Sequence, residues 1–452
     1  MNYMTRVIRQ AVLAGLVAFS LCAQIAPRDR VVVIISLDGF PGWAWEDPRL
    51  PAPNLQRLAR EGVLAQGMTP PNPTVTWPSH TTMVTGVSPA RHGVLYNGLP
   101  VRQGDHGIVR VEQWRPKEEL VLVPTVYDKL HAAGFTTAEV DWVAIFRAKT
   151  ITWRFPEIPE PDGAVEKEMV QEGIATRRDL GEFFKSSPAW RDDYWTRAGI
   201  YILRRHQPNL LLFHLLNTDA LNHTAGPRSY ASQAGYALAD THVGMLLDAI
   251  EKGGLRERVT LFVVSDHGFK TAKRIIQPNA VLRREGLLEV QDGQIVCDAY
   301  SIPEGGTAMV YVTNPARKRE LVPRLAEIFR KTEGVSRVLG PGEFTALGLP
   351  EPSASERMGD LLLAAADGNA FNAANQGAPV IAVHEGGYPG HHGYLNSDPD
   401  MRATFLAWGN GIQRGVRIGT VSAADVAPTV AHLFGLKMEN IEGRVLREIL
   451  VE

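Results

Sequence analysis

Continuous apolar runs recur along the chain, separated by segments with the apolar spacing of amphipathic helices. Such a run indicates a strand buried on both faces, as in a parallel sheet. Buried strands are predicted at VVVIISL (31–37), LLLFHLL (210–216), VTLFVV (259–264) and ATFLAW (403–408). A further strand is predicted over 136–143, and a short extended piece over 63–65.

Helices are predicted between these strands. They cover 53–62, 125–133, 195–205, 230–251, 315–331 and 422–436, and a short helical run covers 79–85. Strands that alternate with helices predict an α/β fold, namely a doubly wound, mostly parallel sheet with helices on both faces.

Two regions depart from this alternation. Residues 144–190 are polar and irregular, and 272–400 combine a hairpin pattern around Asp292-Gly293, short strands at 308–312, 335–339 and 360–364, and a Gly- and Asn-rich stretch. We interpret both as inserted, loop-rich cap segments. Because no linker long or polar enough to separate two domains follows residue 27, one catalytic domain is predicted over 27–452.

The first residues have a different character. Arg6 and Arg9 precede an apolar run from Ala11 to Leu21, and small residues follow. This pattern predicts a secretory signal peptide over 1–26, cleaved near Cys22 or Ala23, and export to the periplasm or the extracellular space. The run is short for a transmembrane helix, so we expect no membrane span after cleavage. An uncleaved anchor is the alternative.

Composition narrows the range of partners. The 452 residues have a formal net charge of -2, which gives no field that favours duplex nucleic acid or an acidic membrane surface. Cys22 and Cys297 are the two cysteines, so an exported form without disulfides must rely on its core and on any metal that it binds. The sequence does not indicate an oligomeric state.

Acidic residues follow three of the predicted buried strands. Asp38, Asp219 and Asp266 stand near their carboxyl ends, where open α/β sheets bind ligands. Asp219 and His223 are four residues apart, which places both on one face of a helical turn. Together with His267 and the His391-His392 pair, these residues suit a catalytic zinc or a two-metal phosphoryl-transfer site. Taken singly, each could be a turn, a cap or a solvated loop residue.

A threonine offers a candidate nucleophile. Thr76 precedes Pro78 and the helical run, so we expect it at or beside a helix N-terminus, where backbone N–H groups attract phosphate. A capping threonine in a turn is the alternative. Three other histidines, His80, His92 and His214, are interpreted as structural, and His214 as a hydrogen-bonded histidine of the core.

Five motifs in this order resemble the nucleotide pyrophosphatase/phosphodiesterase branch of the alkaline phosphatase superfamily. The resemblance extends from about Arg30 to Leu450, and it implies an alkaline phosphatase-like fold. The motifs are ISLDGF, PTVTWPSHTTMVTGVSPARHGV, NTDALNHTAGP, VVSDHGF and GHHGYLNSDPDMRATFLAWG.

The resemblance implies a role for each of these residues. Thr76 becomes the nucleophile, and Asn97 contacts a non-bridging phosphoryl oxygen. Two zinc ions are implied, although Asp and His ligands also accept other divalent metals. The first zinc is held by Asp38, Thr76, Asp266 and His267, and the second by Asp219, His223 and His392, which precedes Gly393-Tyr394.

The implied function is metal-dependent hydrolysis of small-molecule phosphate esters, as a phosphodiesterase acting through a covalent phospho-threonine. Family members that use nucleotides have Phe and Asn where this chain has Trp77 and Ser79, so a nucleotide substrate is not fixed. A phosphomonoesterase or phosphonate hydrolase is the first alternative, and its dianionic substrate needs an extra cation such as Arg102 or Lys117. A non-catalytic metal-dependent binding module is the remote alternative.

Overall fold

The apolar runs pair as strands of one eight-stranded sheet. The computed structural model describes residues 25–385 and 387–451. The central strands are β1 (Val31–Leu37), β2 (Val63–Ala65), β3 (Thr137–Val140), β4 (Trp153–Phe155), β5 (Leu210–Leu215), β6 (Val259–Val264), β7 (Phe405–Gly409) and β8 (Val416–Ile418). Their order across the sheet is 8-2-7-6-1-5-3-4, and β7 is antiparallel to both of its neighbours while the other pairs are parallel. The predicted mostly parallel sheet is confirmed.

Helices flank both faces of this sheet. They are α1 (Pro53–Glu61), α2 (Thr76–Thr85), α3 (Pro89–His92), α4 (Lys117–Leu120), α5 (Val126–Ala132), α6 (Ala164–Gln171), α7 (Arg177–Glu182), α8 (Pro188–Arg205), α9 (Asn217–Ala225), α10 (Tyr230–Lys252), α11 (Pro278–Arg284), α12 (Lys318–Arg330) and α13 (Val426–Leu433).

Side-chain alternation along β1 divides the core into two layers. Val31, Val33 and Ile35 pack against apolar residues of α1, α8 and α10, whereas Val32 and Ile34 pack against α2, α5 and α13. Because successive strand residues point to opposite faces, a continuous apolar strand requires a helical layer on each side. The doubly wound architecture follows from that requirement.

A second, antiparallel sheet of four strands lies within residues 272–400. Its strands pair in the order Ala299–Pro303, Thr307–Val312, Leu361–Ala365 and Val335–Leu339. Apolar residues of α11 and α12 cover one face of it. This region therefore contains a small hydrophobic core and more regular structure than the sequence indicates.

The remaining strands are short. The predicted hairpin is present, with both Asp292 and Gly293 at positive φ, as a tight two-residue turn requires. Within the described part of the chain, short strands outside the two larger sheets form four pairs, namely Met68–Thr69 with Val421–Ser422, Leu99–Arg102 with Val109–Glu112, Lys270–Thr271 with Gly390–His391, and the hairpin Leu288–Gln291 with Gln294–Cys297. A further sheet of three strands comprises Arg274–Ile276, Asn369–Phe371 and Val380–Ala382.

Several boundaries differ from the predictions. Residues 144–190 contain the strand β4 and the helices α6 and α7. The two helices are too short for apolar periodicity to reveal them. The strand predicted over 136–143 ends at Val140, because Asp141 adopts a positive φ of 54°. The helix predicted to begin at residue 195 begins at Pro188, where the Ser187 side chain accepts a hydrogen bond from the Trp190 N–H.

Residues 1–24 of the predicted signal peptide lie outside the described residues. Among the helices that are described, none has the length and apolar content needed to cross a bilayer.

One helix is capped by another. Asp240 of α10 accepts hydrogen bonds from the backbone N–H of Leu55 at 2.7 Å and of Asn54 at 3.3 Å, both in the first turn of α1. These N–H groups have no partner within their own helix, and the side chain of Asp240 is buried. The carboxylate therefore joins two helices of the same layer.

We expect Asp240→Ala to lower the free energy of unfolding by about 1–2 kcal/mol, because it removes a cap and leaves N–H groups of the first turn of α1 unpaired. Urea denaturation monitored by circular dichroism measures this loss. The control is Asp248→Ala on the same helix, whose partner is the exposed Lys252 and whose effect should stay within about 0.5 kcal/mol. Equal losses in the two variants would contradict the capping role.

Candidate active site

Neighbouring strands deliver the acidic residues to one edge of the central sheet. Asp38 follows β1 directly, Asp266 lies two residues after the end of β6, and Asp219 lies in α9, which begins just after β5. Since β6, β1 and β5 are adjacent and parallel, their carboxyl ends meet. The sheet therefore gathers these residues from distant parts of the chain.

The first group of ligand atoms belongs to Asp38, Asp266 and His267. His267 Nε2 lies 3.2 Å from Asp266 Oδ2 and 3.4 Å from Asp38 Oδ1. The other oxygen of Asp266, Oδ1, accepts a hydrogen bond of 2.9 Å from the Gly39 N–H. All three side chains are buried.

The second group belongs to Asp219, His223 and His392. Asp219 Oδ1 lies 3.4 Å from His223 Nε2 and 3.8 Å from His392 Nε2. Asp219 and His223 lie four residues apart on α9, on one face as predicted. The two groups adjoin, since ligand atoms of Asp38, Asp219 and His267 all lie within 4.8 Å of one another.

Helix α9 is held in place by a buried carboxylate. Asp192 of α8 accepts hydrogen bonds from the backbone N–H of Leu216 at 2.9 Å and of Asn217 at 3.0 Å, at the start of α9. A carboxylate at this end also interacts favourably with the helix dipole. Asp192 thereby fixes the helix that carries Asp219 and His223.

Each of the three histidines directs the same nitrogen towards the site. The Nδ1 atoms lie 2.9 Å from the Gly390 carbonyl oxygen for His223, 3.0 Å from that of Thr74 for His392, and 3.2 Å from that of Gly268 for His267. A carbonyl oxygen can only accept, so each Nδ1 carries the proton and each Nε2 presents a lone pair. Burial, together with His267 and His223, holds the pKa of His392 well below its usual value, so this ring is neutral.

The inward-facing atoms have no hydrogen-bond partner among the described residues. Asp38 Oδ1, Asp219 Oδ1, Asp266 Oδ2 and His267 Nε2 are all buried in this unpaired state. Burial raises the pKa of Asp38 well above its usual range, and the carboxylates of Asp266 and Asp219 raise it further. Unpaired oxygens and imidazole lone pairs that face one another at 3.2–3.8 Å fit divalent cations placed between them.

Thr76 is the first residue of α2, and its side chain is nearly buried. The backbone N–H of the next residue, Trp77, donates a hydrogen bond of 2.9 Å to Asn97 Oδ1. The backbone carbonyls of Thr74 and of Thr76 itself connect the segment to both groups. The Thr74 carbonyl contacts His392, and the Thr76 carbonyl lies 2.8 Å from His80 Nδ1, which is 3.8 Å from Asp266 Oδ2.

Two of the histidines interpreted as structural lie beside carboxylates. His80 and His214 are both buried, as that interpretation expects, and each has a carboxylate nearby. His214 Nε2 lies 3.0 Å from Asp38 Oδ2, and its Nδ1 lies 3.0 Å from Asp141 Oδ2. Burial opposes a charge on His214, yet the hydrogen bonds with Asp141 and Asp38 outweigh it and raise its pKa well above the usual value.

A signal for His214 was present in the sequence. It shares strand parity with Leu210 and Leu212, so this polar residue interrupts an apolar face that packs on α2. His92, by contrast, contacts Thr82 Oγ1 at 3.0 Å and the Val94 N–H at 3.1 Å, away from these carboxylates. His391 Nε2 lies 2.8 Å from the Tyr388 carbonyl oxygen rather than in either group.

Close backbone packing holds the loop that carries His392. The Gly393 N–H donates to the Thr74 carbonyl at 3.0 Å, and Thr74 Oγ1 donates to the Tyr394 carbonyl at 2.8 Å. Gly393 has a φ of 76°, and a Cβ there would lie 1.5 Å from the Glu304 carbonyl oxygen. Glycine is therefore required beside His392.

The sequence profile of the type I phosphodiesterase / nucleotide pyrophosphatase family matches residues 32–395. The chain belongs to this family. The predicted membership of this family and of the alkaline phosphatase superfamily is thereby confirmed. The prediction that the protein is an enzyme that hydrolyses phosphate esters is confirmed as well.

Curated relatives of this family member are similar over most of their length. Mouse ectonucleotide pyrophosphatase/phosphodiesterase family member 7 is 24% identical over 444 residues, 95% of this chain and 90% of the relative. Human family member 5 is 21% identical over 441 residues, 94% of this chain and 78% of the relative.

Solved structures show the same fold. An inactive variant of murine ectonucleotide pyrophosphatase/phosphodiesterase 5 in complex with AMP superposes with a TM-score of 0.70 at 17% identity, covering 93% of this chain and 100% of that chain. Human ectonucleotide pyrophosphatase/phosphodiesterase 5 also superposes with a TM-score of 0.70, at 18% identity, covering 94% of this chain and 100% of that chain. The family is a metalloenzyme family, in agreement with the candidate metal-binding groups.

We expect Gly393→Ala in this phosphodiesterase family member to destabilise the fold more than a positive φ alone does. Gly104 is a matched control with the same φ of 76° and open space around it. Gly104→Ala should cost about 1 kcal/mol from backbone strain, and Gly393→Ala about 1–3 kcal/mol more from the clash with Glu304. Urea denaturation compares the two, and similar losses would show that the loop does not need this close approach.

Proposed function

We propose that the enzyme is a two-metal phosphodiesterase that works through a covalent phospho-threonine formed on Thr76. One observation carries the proposal: Thr76 begins a buried helix in a segment whose carbonyls contact His392 and His80, beside unpaired buried ligand atoms. The N-terminal N–H groups of α2 favour an oxyanion at this position.

The proposed ligands fall into two sets. Asp38, Thr76, Asp266 and His267 would hold the first cation, and Asp219, His223 and His392 the second. Mixed nitrogen and oxygen donors suit zinc, although other divalent metals accept the same ligands. When bound, such cations lower the pKa of hydroxyl groups and stabilise the oxygens that gain charge during in-line displacement.

The protein's own groups then divide the remaining work. Thr76 Oγ attacks phosphorus, a P–O bond to Thr76 forms, and the bond to the leaving alcohol or phosphate breaks with its electron pair on the leaving oxygen. Water then attacks phosphorus from the opposite side, and the P–O bond to Thr76 breaks with its electron pair on the Thr76 oxygen. That oxygen takes up the proton lost by the water, which regenerates the hydroxyl and releases the phosphate monoester. Two in-line displacements predict net retention of configuration at phosphorus.

Asn97 is suited to position the phosphoryl group. Because its Oδ1 accepts from the Trp77 N–H, the amide group has one fixed orientation, and Nδ2 remains as a donor. We propose that Nδ2 donates to a non-bridging phosphoryl oxygen, next to the N–H groups at the start of α2.

A diester is the favoured substrate because the candidate extra cations are engaged elsewhere. Lys117 Nζ donates to Asp128 Oδ2 at 2.6 Å, and Arg102 Nη1 donates to the Val312 carbonyl at 2.8 Å. A phosphomonoester or phosphonate dianion would need such a cation in the site, whereas a diester carries one charge. Enzyme family membership leaves the non-catalytic binding module without support.

We propose that the enzyme is exported, to the periplasm or the extracellular space. Two observations support this proposal. Residues 1–26 contain arginines, then an apolar run and then small residues, which is the order found in signal peptides. The relatives are named ectonucleotide pyrophosphatase/phosphodiesterases. A free, buried Cys297 agrees with an exported chain that does not depend on disulfides.

We expect Thr76→Ala to lower the turnover of bis-p-nitrophenyl phosphate by more than about a thousandfold, because the variant lacks the nucleophile. Metal content, measured by atomic emission on the purified protein, should remain close to that of the wild type. Thr76→Ser keeps a hydroxyl and should retain measurable turnover. A Thr76→Ala variant that keeps its metal and remains active would exclude the phospho-threonine.

We expect kcat/KM for bis-p-nitrophenyl phosphate to exceed that for p-nitrophenyl phosphate by at least about tenfold, since one missing charge contact corresponds to 1.4 kcal/mol or more. The two esters share a leaving group, so the ratio reports how the site treats the second ester group. A higher value for the monoester would favour the phosphomonoesterase instead.

A further inference from the structure

The two oxygens of Asp38 have different surroundings. Oδ2 lies 3.0 Å from His214 Nε2, whereas Oδ1 is buried, unpaired among the described residues, and turned towards His267 Nε2 at 3.4 Å. A carboxylate with one oxygen taken by a donor can offer only the other to a cation. The geometry therefore distinguishes a fixed oxygen from a free one.

His214 is itself held from its opposite side. Its Nδ1 lies 3.0 Å from Asp141 Oδ2 and 3.2 Å from the Asp141 carbonyl oxygen. The ring also packs edge-on against the His80 ring, with centroids 4.8 Å apart. With both nitrogens engaged and the ring packed, His214 has one orientation within the core.

Asp141 comes from the next strand of the sheet. It follows β3, which lies beside β5, and its positive φ of 54° turns the side chain out of the strand direction. Asp and Asn tolerate this backbone conformation better than other residues with side chains. A fourth strand end thereby reaches Asp38 through His214.

Asp266 is arranged in the same way by a different donor. Its Oδ1 accepts from the Gly39 N–H, and its Oδ2 has no hydrogen-bond partner in the described part of the chain and faces His267. Both carboxylates of the first group thus have one oxygen fixed by the protein and one left free. The donor to Asp266 is backbone, but the donor to Asp38 is a side chain and can be changed by mutation.

We propose that Asp141 and His214 are positioning residues that orient Asp38 so that Oδ1 alone binds the first cation. This rests on the proposed function, in which Asp38 is a metal ligand. Neither residue contacts substrate in this scheme. Partners of metal ligands that fix ligand orientation typically change metal affinity by about 10–100-fold when removed.

The test measures cation binding rather than turnover. Metal-free protein is titrated with Zn²⁺ against a chromophoric chelator, and with Co²⁺, whose visible absorption reports the ligand geometry. The variants are His214→Phe, which keeps a ring without donors, His214→Gln, which keeps one donor, and Asp141→Asn, which keeps the backbone conformation. His92→Phe is the control, because it also removes two hydrogen bonds of a buried histidine, to Thr82 and Val94.

We expect His214→Phe to weaken the binding of one of the two cations by about 10–100-fold and to change the visible spectrum of Co²⁺ bound at that site. The affinity for the other cation should change by less than about threefold. His214→Gln should recover part of the lost affinity, and Asp141→Asn should lose less than His214→Phe. His92→Phe should leave the affinities for both cations unchanged. Should His214→Phe not fold, the Asp141→Asn and His214→Gln affinities decide the question.

Two outcomes overturn the proposal. Wild-type affinity for both cations in His214→Phe and Asp141→Asn would show that Asp38 needs no such support, and equal weakening of both cations would indicate a general loss of structure. Asp38→Ala separates this from the proposed function: it should lose one cation. If it keeps two, or if the wild type binds none, the metal assignment itself fails.

Discussion

Three carboxylates confined to one small buried volume form the constraint on which this structure depends. Burial disfavours a charged carboxylate, and neighbouring charges of the same sign disfavour it further. The raised pKa of Asp38 expresses both effects. Asp38 and Asp266 each have one oxygen satisfied by a protein donor and one that is unpaired among the residues the structure describes, so these free oxygens suit positive charge.

The architecture meets this constraint with backbone geometry. Adjacent parallel strands bring their carboxyl ends together, and carbonyl groups of Thr74, Gly268 and Gly390 fix the proton of each histidine on Nδ1. Asp192 fixes the start of the helix that carries Asp219. The side chains that face the site are therefore held by backbone carbonyls and by a buried carboxylate. A change in substrate specificity does not require these groups to change.

How far the sequence predicts this arrangement depends on the range of the interactions. The positions of Asp38 and Asp266 at the sheet edge could be predicted because continuous apolar runs end beside them. The shared helix face of Asp219 and His223 could be predicted because four residues make about one helical turn. The contacts of His214 could not be predicted, since its partners Asp38 and Asp141 are 176 and 73 residues away in sequence. Strand pairing, which no local pattern specifies, creates that contact. The short helices α6 and α7 were missed because they span barely two turns each.

Helix α2 has a consequence for dynamics, because all ten of its residues are largely buried. Local opening of such an element would expose the layer between the sheet and α13, so its amide hydrogens should exchange with water only when the whole domain unfolds. The hydroxyl of Thr76, the proposed nucleophile, thus belongs to the part of the protein that we expect to exchange most slowly. Adaptation to new substrates is left to the surrounding surface loops, which can fluctuate and mutate without disturbing it.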